Sequence, residues 1–300
     1  MADDAPCKVL LAIDGSADAD RAAEYVARYG HQLGVTEVYV LNVQPYGSYR
    51  TYALFRNEIL LEADKHGEHA MAFACKALDE AKLLYRFHTE LGEPADAIVH
   101  AAEAQQVDEI VMGTRGMGAL GNLALGSVAY KVIRLAQVPV TVVSNPHGEG
   151  HLAAGEPAAA HRLLLAVDGS EHAARAVAYV CGLHAARVPI AVLLVNVQLP
   201  IVSGNVSRFV AREMLDASYR DEGEAALRGA KEALQKAGIE FESHIMAGHL
   251  AETIVQLAEQ HRCARIVMGT HGLGTVANLV LGSVAVRVVH TSPIPVTLVK

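Results

Sequence analysis

The segment KVLLAIDGSADADRAAEYV at residues 8–26 returns as RLLLAVDGSEHAARAVAYV at 162–180. A duplication of this kind constrains the fold strongly, because both copies must fold to the same unit. The correspondence continues in order. VLNVQ (40–44) matches LVNVQ (194–198), MGTRGMGALGNLALGS (112–127) matches MGTHGLGTVANLVLGS (268–283), and VPVTVV (138–143) matches IPVTLV (294–299). Asp14 pairs with Asp168 and Gly113 with Gly269, so the second copy carries two more residues between its second strand and its glycine-rich stretch. Between the copies, SNPHGEGHLAAGEPAAA (144–160) is rich in Gly, Pro and Ala without apolar periodicity. It reads as a linker. The organisation expected is therefore a first domain over 1–144, a linker over 145–160 and a second domain over 161–300.

Each copy alternates strand and helix patterns. In the first, CKVLLAI (7–13) is a short apolar run that ends at Asp-Gly-Ser, as a strand buried on both faces of a parallel sheet would. Ser16 can cap a helix over about 17–33, with Ala22, Ala23, Val26, Ala27 and Leu33 at helical spacing. Strands follow at 37–43, 84–91, 107–114 and 138–143, and helices at about 57–81, 93–105 and 126–135. Pro94 sits in a first turn, where its missing N–H costs nothing. Strands alternating with helices call for right-handed crossovers and a parallel sheet. The fold expected is α/β: two tandem, open, doubly wound domains, each Rossmann-like with a five-stranded parallel sheet. Ligands of such sheets sit beyond the strand carboxyl ends, where the winding reverses.

Charge and composition narrow the function. The formal net charge is −8 and the isoelectric point lies near 6.0, which argues against nucleic acid or an anionic membrane as partner. Apolar residues make up 52% of the chain, enough for sizeable cores, but no apolar run is long enough for a transmembrane helix. The N-terminal MADDAPCKVLLAIDGS has acids where a signal peptide needs bases, so the cytoplasm is the expected compartment. Cys7, Cys75, Cys181 and Cys263 are scattered, without a CxxC pair, and are expected to be reduced and mostly buried. No metal site is expected: the fifteen histidines show no HExxH or similar spacing, and His66 and His69 fit a solvated helix face. The stretch EADKHGEHAMAFACKALDEAK (62–82) reads as an ordinary mixed-charge amphipathic helix.

The glycine-rich stretch, MGTRGMGALGNLALGS, follows the fourth strand and holds five glycines. Gly113 and Gly116 can let the backbone approach a ligand without a Cβ in the way. Gly126 and Ser127 open a helix, where unpaired N–H groups and the macrodipole favour an anion. The serine hydroxyl adds a donor, or a ligand for a phosphate-bound metal. Two familiar motifs fail. GNLALGS (121–127) has Walker spacing, but Ser127 stands where lysine should be. GMGALG (116–121) and GLGTVA (272–277) fit a dinucleotide fingerprint, but that motif belongs after the first strand, with an acid about twenty residues on.

A third pattern uses other glycines: Gly113-x2-Gly116-x9-Gly126-Ser127 in copy one and Gly269-x2-Gly272-x9-Gly282-Ser283 in copy two. With the strand endings IDGS and VDGS and the GEP at 92–94, the whole unit resembles the universal stress protein family, as a tandem of two domains related to the adenine nucleotide alpha hydrolase-like folds. The spacing G-x2-G-x9-G-[S/T] resembles that of the family's ATP-binding branch. The resemblance implies ATP, alone or with magnesium. It places Asp14 and Asp168 near the adenosine end, and Val43 and Val197 where backbone meets adenine. Met112, Gly113 and Gly116, like Met268, Gly269 and Gly272, match the start of the ribose and phosphate loop. Gly126, Ser127 and Val128, like Gly282, Ser283 and Val284, match the phosphate-binding helix start. Arg115 and His271 lie inside the two loops, to neutralise phosphate or to point into solvent. Copy two departs from the pattern at GHL (248–250), where Leu250 replaces Pro94.

Plainer readings stand beside these. Asp14 and Asp168 suit turns or caps as well as ligands, Ser16 and Ser170 suit caps, Met112 and Met268 suit core packing, and the loops could be tight turns alone. No side-chain constellation supplies the base, cations and held metal of fast phosphoryl transfer, and no catalytic residue is assigned. The function expected is an ATP-binding sensor or regulator of a stress response with an unidentified protein partner. The rival readings are a slow ATPase or nucleotidyl-transfer enzyme and an interaction module without nucleotide. The resemblance also implies an intramolecular pseudo-dimer through the last strands, with homodimers open.

Overall fold

The computed structural model describes residues 7–45, 56–116, 125–144, 161–186, 188–200, 212–273 and 281–300. The chain falls into two compact units, Met1–Pro157 and Ala158–Lys300. Residues 145–160, expected to be the linker, lie outside the described residues.

The first unit runs β1 (Cys7–Ala12), α1 (Ala17–Tyr29), β2 (Val35–Gln44), α2 (Arg56–Glu80), β3 (Tyr85–Leu91), α3 (Pro94–Ala104), β4 (Glu109–Gly113), α4 (Ser127–Leu135) and β5 (Val140–Val143). The second runs β6 (His161–Ala166), α5 (Glu171–Ala185), β7 (Ile190–Gln198), α6 (Arg212–Ala237), β8 (Phe241–Ala247), α7 (Leu250–Gln260), β9 (Arg265–Gly269), α8 (Ser283–Thr291) and β10 (Val296–Val299). In the first unit the strands lie in the order β3-β2-β1-β4-β5, every pairing parallel. The second repeats it as β8-β7-β6-β9-β10. Both units are the doubly wound α/β domains expected.

The apolar runs explain the order. Leu10, Leu11, Val38, Val40, Ile110 and Val142 are fully or almost fully buried, as are Leu163, Leu164, Leu194, Ile266 and Val267. Each such leucine stabilises the fold by about 2 kcal/mol, and only a central position covered on both faces uses every residue of such a run. Helix α1 packs beside α2, and α3 beside α4. Right-handed crossovers put the first pair on one face and the second on the other. The far strands β3 and β8 instead expose Phe87, Glu242 and Met246.

Helix α1 stops its regular turns at Tyr29, four residues short of the boundary expected from Leu33. Leu33 is buried all the same, from a final turn rather than from the helix proper. That turn closes when Val35 N–H donates to Gly30 C=O at 2.9 Å and Gly34 N–H to His31 C=O at 3.2 Å. Gly34 takes φ of 69°, a left-handed conformation that ends helices at little cost only for glycine.

Of the four cysteines, Cys263 is buried and Cys7, Cys75 and Cys181 are half-buried, none of them in a disulfide. Burial pushes the Cys263 thiol up to about 12, which makes it inert. The expectation of mostly buried thiols is met fully by Cys263 alone. No helix among the described residues is long and apolar enough to cross a membrane.

Candidate functional site

The winding reverses between β1 and β4, and between β6 and β9. The segments leaving the carboxyl ends of those strands meet. Ser16 Oγ accepts a hydrogen bond from Ala19 N–H at 3.3 Å, which caps α1. The same hydroxyl donates to the Arg115 carbonyl at 3.1 Å. One side chain thus ties the helix start to the glycine loop. Ser170 repeats this, accepting from Ala173 N–H at 3.2 Å and donating to the His271 carbonyl at 3.5 Å. Both serines are the caps that the sequence suggests.

Asp14 Oδ1 accepts from Ser16 N–H at 3.0 Å, and Asp168 Oδ1 from Ser170 N–H at 3.0 Å. Asp168 Oδ2 also accepts Leu273 N–H at 3.1 Å, inside the second loop. Both acids therefore organise the turns around them. Asp14 is exposed and Asp168 half-buried.

The loop glycines divide by cause. A Cβ on Gly113 would lie 2.8 Å from the Asp18 carbonyl carbon and 2.9 Å from Ala19 N, and one on Gly269 would lie 2.7 Å from the His172 carbonyl carbon. These positions are glycine because α1 and α5 begin against the ends of β4 and β9. Packing accounts for them without a ligand. Gly116 and Gly272 are different: a Cβ there would meet the Asp14 and Asp168 carboxylates.

Gly126 and Gly282 cap α4 and α8 in extended conformation, with φ of −66° and −65°. Gly126 N–H donates to Thr114 C=O and Gly282 N–H to Thr270 C=O, both at 2.8 Å. Each helix start is thereby pinned to the residue just after the fourth strand of its unit. Neither cap receives a side-chain hydrogen bond, and neither first turn holds an acid. Helices α1, α3, α5 and α7 all carry an acid in that turn. The N–H groups of Ser127 and Val128, and of Ser283 and Val284, have no acceptor within their helices. The positive dipole ends of α4 and α8 are uncompensated by their own first turns. Ser127 and Ser283 are exposed there. Chemically, this arrangement suits an anion.

Val43 and Val197, half-buried, stand one residue before the ends of β2 and β7, and Met112 and Met268 are buried. The methionine side chains belong to the core, which leaves only their backbone for a ligand. Beside the valines runs a duplicated polar chain that the sequence reading passed over. Asn42 Nδ2 donates to Ile13 C=O at 2.7 Å, and Gln44 Nε2 donates to Asn42 Oδ1 at 2.7 Å. Asn196 Nδ2 and Val167 C=O, then Gln198 Nε2 and Asn196 Oδ1, repeat it at 2.8 and 2.7 Å. The signal was present: the tripeptide Asn-Val-Gln stands in both copies.

Beside the loops, the units differ in what faces the residue after the threonine that follows the fourth strand. In the first, the buried Asp18 carboxylate accepts from Thr114 Oγ1 at 2.8 Å, Arg115 N–H at 3.2 Å and Arg115 Nε at 3.1 Å. Arg115 is within the loop as expected, but its guanidinium is already matched by Asp18. In the second, His172 takes the place of Asp18 and His271 that of Arg115. Their rings lie 4.9 Å apart, and His271 Nδ1 is 3.1 Å from Thr270 Oγ1. Burial, followed by the charges of Arg175 and His271, pushes the His172 imidazole down. The missing proline of copy two changes little. His249 caps α7 with φ −71° and ψ 118°, against −77° and 118° at Glu93 before α3.

Known proteins share this architecture. The family model described as Universal stress protein family matches residues 7–144 and 160–300. A universal stress protein of Thermus aquaticus is 38% identical over 138 residues, spanning 45% of this chain and 96% of its own. One from Mycolicibacterium smegmatis is 27% identical over 305 residues, spanning 97% of this chain and 96% of its own. Among solved structures, a universal stress protein from Archaeoglobus fulgidus superposes with a TM-score of 0.66 at 24% identity, covering 98% of this chain and 96% of that one. Two consecutive matches to the family model, on a chain that folds as two like units, show that this chain belongs to the universal stress protein family in its tandem form.

Proposed function

We propose that each unit binds one ATP, alone or with magnesium, and that nucleotide occupancy biases a surface read by a protein partner, so that the chain serves as a sensor or regulator in a stress response. The observation that carries this reading is the pair of acid-free helix starts without a side-chain cap, at Gly126-Ser127 and Gly282-Ser283. Each is pinned beside the loop that follows the fourth strand of its unit. A triphosphate supplies the charge these dipoles lack. In the proposed pose, Gly113 to Gly116 and Gly269 to Gly272 border the ribose and phosphates, Asp14 and Asp168 lie at the adenosine end, and Val43 and Val197 offer backbone to adenine. Arg115 and His271 line the loops. Residence in the cytoplasm and a pseudo-dimeric pairing of the units belong to the same proposal. Small-angle scattering of the full chain checks the pairing.

The test is calorimetric titration of the full chain with ATP, with and without magnesium. Two nucleotides per chain are expected. A Cβ at Gly126 would lie 3.0 Å from the Thr114 carbonyl oxygen, and one at Gly282 would lie 3.3 Å from that of Thr270. Gly126→Val combined with Gly282→Val should therefore displace both helix starts and abolish binding while circular dichroism stays that of the parent. A flat titration of the parent, or unchanged affinity in the double variant, rejects the assignment. Turnover of radiolabelled ATP in the same samples separates binding from hydrolysis.

A further inference from the structure

The second unit gathers two histidines and a carboxylate on a surface away from the glycine loops. Glu242 and His244 lie two residues apart on β8, so they project from the same side of the strand. His261 comes from the C-cap of α7. One donor atom from each of the three lies within 4.8 Å of the other two. His244 Nε2 is 2.8 Å from Glu242 Oε1, and the His244 and His261 rings stand edge to face with centroids 5.2 Å apart.

We propose that Glu242, His244 and His261 form a site for a divalent transition metal of the zinc class, with the remaining position taken by water. Two imidazoles and one carboxylate are a ligand set that zinc accepts with an open fourth position. Zinc bonds of about 2.0–2.2 Å place neighbouring ligand atoms roughly 3–3.5 Å apart. Small side-chain rotations bring the three donors to that spacing. Glu242 is 56% exposed and His244 26% exposed at the side chain, which leaves room for both water and exchange.

The duplicated fold supplies an internal control. Phe241 pairs with Val192 as Tyr85 pairs with Val38. The first unit therefore puts Arg86, His88 and Gln105 at the positions of Glu242, His244 and His261. Arg86 is a cation there, and its Nε donates to Glu37 Oε1 at 2.6 Å. One histidine of the set survives, so the site belongs to the second unit alone. The spacing along the chain gave no hint of it, because the two histidines are separated by all of α7.

The test is titration of the tag-free, metal-stripped full chain with zinc alone, read by calorimetry and by competition with a chromogenic chelator. ATP is left out because it binds metal itself. One zinc per chain is expected, with affinity reduced more than about tenfold in His244→Ala and in His261→Gln, the residue of the first unit. Cobalt added in place of zinc should give visible absorption bands that His261→Gln abolishes. Glu242→Gln keeps the shape of the site and should weaken zinc less than either histidine change. The His172→Ala, His271→Ala double variant should bind zinc as the parent does. No stoichiometric zinc in the parent, or the same affinity in His244→Ala and His261→Gln, overturns the proposal. The nucleotide proposal does not depend on this outcome.

Discussion

Gly116 and Asp14 compete for one space: a Cβ on the glycine would lie 2.5 Å from Asp14 Oδ2. Gly272 and Asp168 repeat the relationship at 2.4 Å. The loop after the fourth strand thereby lies against the carboxylate that opens the turn after the first strand.

This closeness separates two kinds of loop glycine. In Gly116→Ala with Gly272→Ala, the new methyl groups meet only the ends of rotatable side chains. Stability should fall by less than about 1 kcal/mol. In the proposed pose, the displaced carboxylates should cost at least about tenfold in ATP affinity. In Gly113→Ala the methyl meets the backbone of Asp18 and Ala19, which cannot rotate away, and about 1–3 kcal/mol of stability should be lost. Urea denaturation and calorimetry on the same preparations check both. Equal losses of stability would show that the two glycines are not doing different things.

The Asn42 side chain is almost wholly buried, and its amide bonds Ile13 C=O next to the site. Asn42→Leu leaves that carbonyl without its buried donor and Gln44 without its acceptor. A loss of about 1–3 kcal/mol is expected, and Asn196→Leu should match it in the second unit. The check is urea denaturation followed by far-ultraviolet circular dichroism. A loss below a few tenths of a kcal/mol in both would mean that water replaces the amide.

The order of strands and helices was legible because unbroken runs such as VLLA and IVM have few other places to go than a doubly covered sheet, and because the second copy matches them with LLLA and IVM. Ser16 and Ser170 were legible as caps because the role is local. What stayed hidden depends on distances between segments far apart in sequence. Gly113 looked like a ligand-approach residue, and only the position of the α1 backbone gives it a packing cause. Arg115 looked like a loop cation, but Asp18, nearly one hundred residues earlier, accepts its Nε. The meeting of Glu242 and His244 with His261 needs α7 to fold back along the sheet, and no local pattern encodes that.

Asp18 and His172 occupy equivalent places with different chemistry, and their removal should differ. Asp18 is 5% exposed and accepts from Thr114 Oγ1, Arg115 N–H and Arg115 Nε. Asp18→Ala removes the acceptor that Thr114 Oγ1 and the Arg115 backbone N–H share, while the Arg115 side chain, 36% exposed, keeps its hydration, and should cost about 1–3 kcal/mol. The His172 ring meets that of His271 at a tilt of 47° and, among the described residues, accepts no comparable set of donors, so His172→Ala should cost only about 1 kcal/mol. Calorimetric melting of the two variants gives the comparison. Equal destabilisation would mean that the ring pair holds its loop as firmly as the ion pair does.

Stability should fall in acid partly through one residue. His161, on β6, is 2% exposed. Burial, and then the Arg265 guanidinium, pushes its imidazole down to about 3 from 6.5. A histidine depressed in the folded state stays neutral there, while the unfolded chain takes up the proton below about 6.5. Protons thus favour the unfolded chain between pH 6.5 and 3, with a slope that approaches 1.4 kcal/mol per pH unit. From pH 7 to 5 this residue alone should withdraw about 2 kcal/mol. The matching position in the first unit is Cys7, so His161→Cys is the natural comparison. Urea denaturation across pH 5–8 should show the variant losing less stability in acid than the parent by that amount, the other fourteen histidines cancelling in the difference. Parallel curves would show that His161 is protonated in the folded chain, against its burial beside Arg265.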